Sequence, residues 1–294
     1  MIKNYLSKLK DKMSIIFSTI KPKEINLDNT TTFTDPELNK KANQYNYTQY
    51  AHLLNREYHV YELTNFDTDL LIRAIEDSHM TDKISKEYGY RLAMLAYDID
   101  EWLTITFDKD KLWFCRLDEC SMKDSPYGLG PIQNGMDVVK RLSTSDSCAY
   151  PLCELNSRKI IFIPWNDEIE TKNEFRCFFY QKKLTAISQY DPYENYGVEN
   201  KINREQIVNC AKQLYLPFSH LFSECTMDIC LLGGGSEGGS EGGSEGGRNR
   251  DRYEIIEFNS FGSDMCASAA CFDWKEDRDI LYSTGDIVHI RIVN

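Results

Sequence analysis

Two hydrophobic periods alternate along this chain. Ile2, Leu6, Leu9, Met13, Ile16 and Phe17 recur at helical spacing, with Lys3, Lys8, Lys10 and Lys12 largely between them. The spacing predicts a helix over 2–17, docked on the body of the protein rather than on a membrane surface. The polar run from Lys21 to Asn43 reads as a connector. In 66–78, Asp67 or Thr68 can cap a helix that puts Leu70, Leu71, Ala74 and Ile75 on one face. Further helices are expected over 84–97, over 135–143 with Val138, Val139 and Leu142 inward, and over 203–215 with Ile207, Cys210, Ala211 and Leu214 inward.

Other segments are short and apolar, as strands are. WLTITFD and KLWFCRL, joined at DKDK, predict a hairpin. RKIIFIPW, EFRCFFYQ and KLTAISQY follow in quick order, and the last two are close enough for a tight antiparallel hairpin. TMDICLL and RYEIIEF read as two more strands, and the tail as a final helix and a short strand. Helices and hairpins are mixed, so the fold class is α+β with mainly antiparallel sheet. Three segments are expected: 1–110, 111–165 and 166–294.

Between those last two strands, residues 233–247 read GGGSEGGSEGGSEGG, a designed flexible linker that replaces a loop. It supplies most of the 16 glycines and three of the acidic residues, Glu237, Glu241 and Glu245.

Composition narrows the class. Across 294 residues, 41% are hydrophobic and 27% charged, which excludes disordered and fibrous chains. No apolar run approaches the roughly 20 residues a membrane span needs. The formal charge of -12 disfavours a nucleic-acid partner. Ten cysteines and no signal peptide point to a reducing, cytoplasmic compartment. Four cysteine pairs share one spacing (Cys115/Cys120, Cys148/Cys153, Cys225/Cys230, Cys266/Cys271), wider than structural zinc prefers, and the five histidines are scattered. Buried, reduced thiols are expected.

Candidate chemistry gathers late in the chain. On a strand through IIEFNSFG, Glu257 and Asn259 share one face, and Ile256 and Phe258 the other. If that strand pairs with TMDICLL, Asp228 reaches the same place. Three oxygen donors suit Mg²⁺ whose shell is completed by phosphate and water. The alternative is an ordinary polar strand face. In EFRCF, Arg176 offers a planar donor for phosphate, or else a surface pair with Glu174 worth about 0.2–1 kcal/mol. Arg116 and Lys123 could also neutralise phosphates. No P-loop or G-x-G-x-x-G occurs.

From Phe114 onward, several blocks resemble the cell division cycle protein 123 family, a divergent clade of the ATP-grasp fold. FCRLDECSMKDS resembles its F-P-K-L-N-x-S-x-P-[RK]-D-A block. EFRCFFYQKKLTAISQYDPYENY resembles its E-F-R-C-F-V…L-x-G-I-S-Q-R-D…Y-Y block closely. YEIIEFNSFG resembles its W-L-I-D-F-N-P-F-G block, and CFDW its L-F-x-W. The resemblance covers roughly 111–275 and implies an ATP-grasp-like fold in which two subdomains clasp a nucleotide. It implies ATP and Mg²⁺ as cofactors, with Asp228, Glu257 and Asn259 as metal ligands. Arg116, Lys123 and Arg176 would face phosphates, Ile161, Ile163 and Trp165 would line the adenine, and Ser188, Gln189 and Asp191 would lie near the phosphates or an acceptor. This chain departs from the family pattern at Glu257 (family Asp), at Arg116 (family Lys), and at Ile163 or Pro164 before Trp165 (family Arg).

The resemblance implies one of two functions. The first is assembly of eukaryotic initiation factor 2 by binding its gamma subunit. The second is an ATP-dependent carboxylate–amine ligase acting on a protein or peptide through an acyl phosphate. Both need the metal triad, so the triad does not discriminate them.

Overall fold

The computed structural model describes residues 14–23, 36–81, 86–107, 111–200, 202–232, 252–265 and 268–294. The linker at 233–247 and the first thirteen residues lie outside these. The strands are β1 (Ser14–Ile20), β2 (His59–Glu62), β3 (Trp113–Leu117), β4 (Lys159–Pro164), β5 (Glu174–Tyr180), β6 (Lys183–Gln189), β7 (Cys225–Leu232), β8 (Arg252–Asn259) and β9 (Ile287–Val293). The helices are α1 (Pro36–Asn43), α2 (Tyr47–Tyr50), α3 (Asn65–Thr81), α4 (Lys86–Thr106), α5 (Gly135–Ser143), α6 (Asp146–Cys153), α7 (Arg204–Tyr215) and α8 (Arg278–Leu281). They group into two compact units, Thr32–Asn166 and Met1–Thr31 with Asp167–Asn294.

The first unit packs helices on one face of a three-stranded antiparallel sheet, order β2-β4-β3. Leu70, Leu71, Ala74 and Ile75 of α3 turn inward, as their spacing predicts. They meet Leu95 and Ile99 of α4, Val138 and Leu142 of α5, and Cys115, Ile160 and Phe162 of the sheet. Asn134 caps α5 by accepting the Asp137 N–H at 2.9 Å. Gly135 opens α5 because the Ala96 carbonyl oxygen lies 2.0 Å from where a Cβ would stand. Arg116 and Ile161, cross-strand neighbours, share the sheet face opposite this core.

The second unit is a six-stranded sheet, order β1-β9-β6-β5-β7-β8. β1, β9 and β6 run parallel, and β6, β5, β7 and β8 alternate. β5 and β6 are joined through Gln181 and Lys182, both at positive φ (47° and 63°), as a two-residue turn of the twist-matched kind requires. One sheet face is covered by α7 and the turn after it: Tyr215 stacks on Phe179 at 3.9 Å, and Phe218 and Phe222 pack on Phe258. The other face carries Phe178 against Phe272 and Trp274.

Three expectations need correction. Residues 14–17 are not helical; they open β1, which pairs in parallel with β9. Ile15, Ile16, Thr19 and Ile20 are β-branched, and a partner strand near the C-terminus decides between two readings of one apolar run. The supposed strand WLTITFD belongs largely to α4, which continues to Thr106 because Trp102 and Leu103 extend the buried stripe of Ile99. The run to Asn43 is not wholly a connector, since α1 occupies 36–43. β2 and α6 were not foreseen: one has four residues, and the other contains Pro151.

Candidate functional site

The polar residues of the six-stranded sheet line up in one row. Register pairs Ser18 with Arg291, Arg291 with Ser188, Ser188 with Arg176, Arg176 with Asp228, and Asp228 with Glu257. Directly opposed residues share a face, so six side chains cross the whole sheet on one side. Ser188, Arg176, Asp228 and Glu257 are all buried.

Arg176 and Asp228 form the centre. Arg176 Nε donates to Asp228 Oδ1 and Nη2 to Oδ2, each at 2.7 Å. Nη1 donates to the Ser268 carbonyl at 2.8 Å, and the guanidinium lies over the Tyr190 ring. Burial opposes the charge on Arg176, but the field and hydrogen bonds of Asp228 override it and raise the guanidinium pKa. Arg176 thus pairs with Asp228 rather than with Glu174. This is a buried, bidentate ion pair, not a surface one.

β7 and β8 pair as the two carboxylates require, with a register shift after Asp228. Asn259 Nδ2 donates to Asp228 Oδ2 at 3.0 Å and to Glu257 Oε1 at 3.3 Å. One amide bridges both carboxylates and holds them together against their repulsion. Turned about its Cβ–Cγ bond, the same amide presents Oδ1 instead. Among the described residues no group of three or more His, Cys, Asp or Glu side chains could hold a metal ion. Two carboxylates and an amide oxygen fit Mg²⁺ that takes its remaining ligands from phosphates and water.

Beside this centre, Ser188 Oγ accepts the Cys271 N–H at 2.9 Å and donates to the Gln189 carbonyl at 2.7 Å. Arg291 grips Asp277 through both nitrogens at 2.6 and 2.9 Å. Lys23 Nζ donates to the carbonyls of Ala270 and Phe272. The row therefore holds the 268–277 segment over the sheet. Lys23, Ser268 and Arg291 were absent from the sequence reading. Strand pairing reveals Arg291, and long-range hydrogen bonds reveal Lys23 and Ser268. Gln189 Nε2 donates to the carbonyls of Asp191 and Glu194, and Asp191 accepts from Tyr193 N and the Tyr196 hydroxyl. Both residues brace the turn after β6.

The remaining candidates lie in the other unit. Arg116 is buried, donates to the Leu117 carbonyl at 3.0 Å, and lies over the Tyr47 ring at 5.3 Å. Ile161 and Ile163 are buried on the face that carries Arg116. Trp165 follows β4 with its backbone N–H on the Leu112 carbonyl at 2.8 Å, and Lys123 is exposed.

The family described as D123 matches residues 144–294, just over half of the chain. A CDC123-like protein of Acanthamoeba polyphaga mimivirus is 28% identical over 206 residues, 67% of this chain. The chain spans 59% of that relative's length. The structure resembles C-terminally truncated Cdc123 from Schizosaccharomyces pombe with a TM-score of 0.63 at 16% identity, over 90% of this chain and all of that one. A second structure of Cdc123 from the same yeast gives 0.59 at 15% over the same shares. These likenesses bear out the α+β, ATP-grasp-like fold class. With the family match reaching from just before α6 to the last strand and carrying every residue of the polar row but Ser18, the chain belongs to the D123 family, that of Cdc123.

Proposed function

We propose that this chain binds ATP with Mg²⁺ and, so loaded, acts on a protein partner. The observation that carries the reading is the Asn259 amide bridging Asp228 and Glu257, which concentrates three oxygen-bearing groups beside one buried arginine. Mg²⁺ held by Asp228, Glu257 and Asn259 would neutralise phosphate charge. Arg176 orients Asp228 for this role through two hydrogen bonds, and its own charge offsets one carboxylate. Within the same unit, Ser188, Gln189 and Asp191 would supply polar groups near the phosphates.

The partner in this reading is the gamma subunit of initiation factor 2, as the family resemblance implies, in the cytoplasm. Nine described cysteines are free thiols, which suits a reducing setting.

Calorimetric titration of the chain with ATP, with and without Mg²⁺ and with ADP release followed, tests the reading. Mg²⁺-dependent binding without turnover is expected, together with capture of purified gamma subunit. Glu257→Gln should weaken Mg-ATP by about tenfold or more, a loss of about 1.4 kcal/mol, at unchanged melting temperature. Undiminished affinity in that variant would remove the metal assignment. ADP release on adding a carboxylate and an amine acceptor would replace the assembly role with the ligase one.

A further inference from the structure

α4 carries apolar stripes on two opposite sides. Leu92, Leu95, Ala96 and Ile99 are buried in the core of the helical unit. Tyr90, Met94, Tyr97 and Ile105 follow one another at steps of four, three and eight residues. At a helical period they share the face turned away from that core. A helix that is apolar on both sides belongs between two partners, and the fold supplies one of them.

The outer stripe is large. Its four side chains are between 53% and 80% exposed. Phe66 of α3, 57% exposed, extends it, with the Arg91 guanidinium 5.6 Å from its ring centroid. An aromatic side chain carries roughly 150–250 Å², so these five together bare roughly 500–700 Å². That is at or above the largest apolar patch usual on a monomer, and it is most of the ~800 Å² that each partner gives to a standard interface.

Charge selects the partner. Arg91 flanks the N-terminal half of the stripe, and Asp98 and Glu101 the C-terminal half, all three exposed. Two α4 helices laid parallel would bring like charges together. Laid antiparallel about a two-fold axis near Tyr97, Arg91 of each copy meets the acidic half of the other, so the contact forms twice. The face complements itself.

We propose that the outer face of α4 is a self-association surface, covered by a second copy of this chain with its α4 antiparallel. No residue of the nucleotide reading lies on α4, so the two proposals stand or fall separately.

Sedimentation velocity of the full chain, from about 1 to about 200 μM, should show monomer passing into dimer. Met94→Glu puts a charge in the middle of the stripe at an exposed position. It should weaken the dimer by about tenfold or more at an unchanged melting temperature. Arg91→Glu and Glu101→Arg should each weaken it as well, because like charges then meet in each homodimer. Mixed in equal amounts, these two variants should pair about as tightly as the parent, since both contacts of the mixed dimer again join opposite charges. A parent that stays monomeric through this range, a dimer indifferent to Met94→Glu, or no recovery on mixing would each overturn the assignment, the first of these leaving the face to a different protein.

Discussion

Arg176 and Asp228 face each other across β5 and β7 and share two 2.7 Å hydrogen bonds with almost no solvent contact. Each makes the other's charge tolerable. Their pairing links the middle of the sheet to the candidate metal ligands on β8 and, through Ser268, to the segment laid over it.

Removing one partner leaves the other charged and buried. Asp228→Ala should therefore cost about 3–5 kcal/mol in urea unfolding. Replacing both with apolar residues, Arg176→Met with Asp228→Leu, should recover most of that loss. A double variant as unstable as the single one would show that the pair does more than neutralise itself.

Asn259 separates two carboxylates by donating to both. Asn259→Asp converts that donor into a third negative charge. The metal-free variant should lose about 1–3 kcal/mol. Mg²⁺ should then raise its melting temperature more than it raises the parent's, since a ligand that binds only the folded state stabilises it. Equal Mg²⁺ shifts in the two proteins would count against a cation at this place.

Burial pushes the Cys115 and Cys230 thiols up to about 12. The folded chain then keeps protons that the unfolded chain releases near pH 9, so the stability these groups contribute is complete below that pH. It falls as pH rises toward about 12. Urea midpoints should accordingly decline above pH 9, and less steeply in Cys115→Ser with Cys230→Ser than in the parent. A pH-independent midpoint through this window would contradict the burial of these thiols.

The Gly135 position admits no side chain: its Cβ would meet the Ala96 carbonyl of α4. Gly135→Ala should force α4 and α5 apart and cost about 1–3 kcal/mol or more. Circular dichroism melting would register it, and an unchanged melting temperature would place α5 farther from α4.

Much of this protein was legible in its own periodicities. Five residues of the polar row and its Asn259 bridge lie in or beside β5 to β9, strands whose alternation and apolar content marked them in advance. α3, α5 and α7 follow from their stripes, although Thr64, which accepts the Asp67 N–H at 3.2 Å, caps α3 in place of the expected Asp67 or Thr68, and the β5–β6 hairpin follows from the brevity of its turn. These are local properties: a helix needs partners three or four residues away, and a two-residue turn needs only its neighbours.

What the sequence determined by itself was therefore the local menu and the residue types able to hold a cation. Tertiary structure decided the rest. The run 14–20 became a strand because β9, some 270 residues later, offers unpaired backbone groups to match it. Arg176 became the partner of Asp228 rather than Glu174 because β7 lies beside β5 in that register. The grip of Arg291 and Lys23 on the 268–277 segment likewise depends on contacts between distant parts of the chain. Such pairings are set by which strands meet and in what register, and a one-residue slip would turn every one of these side chains to the other face.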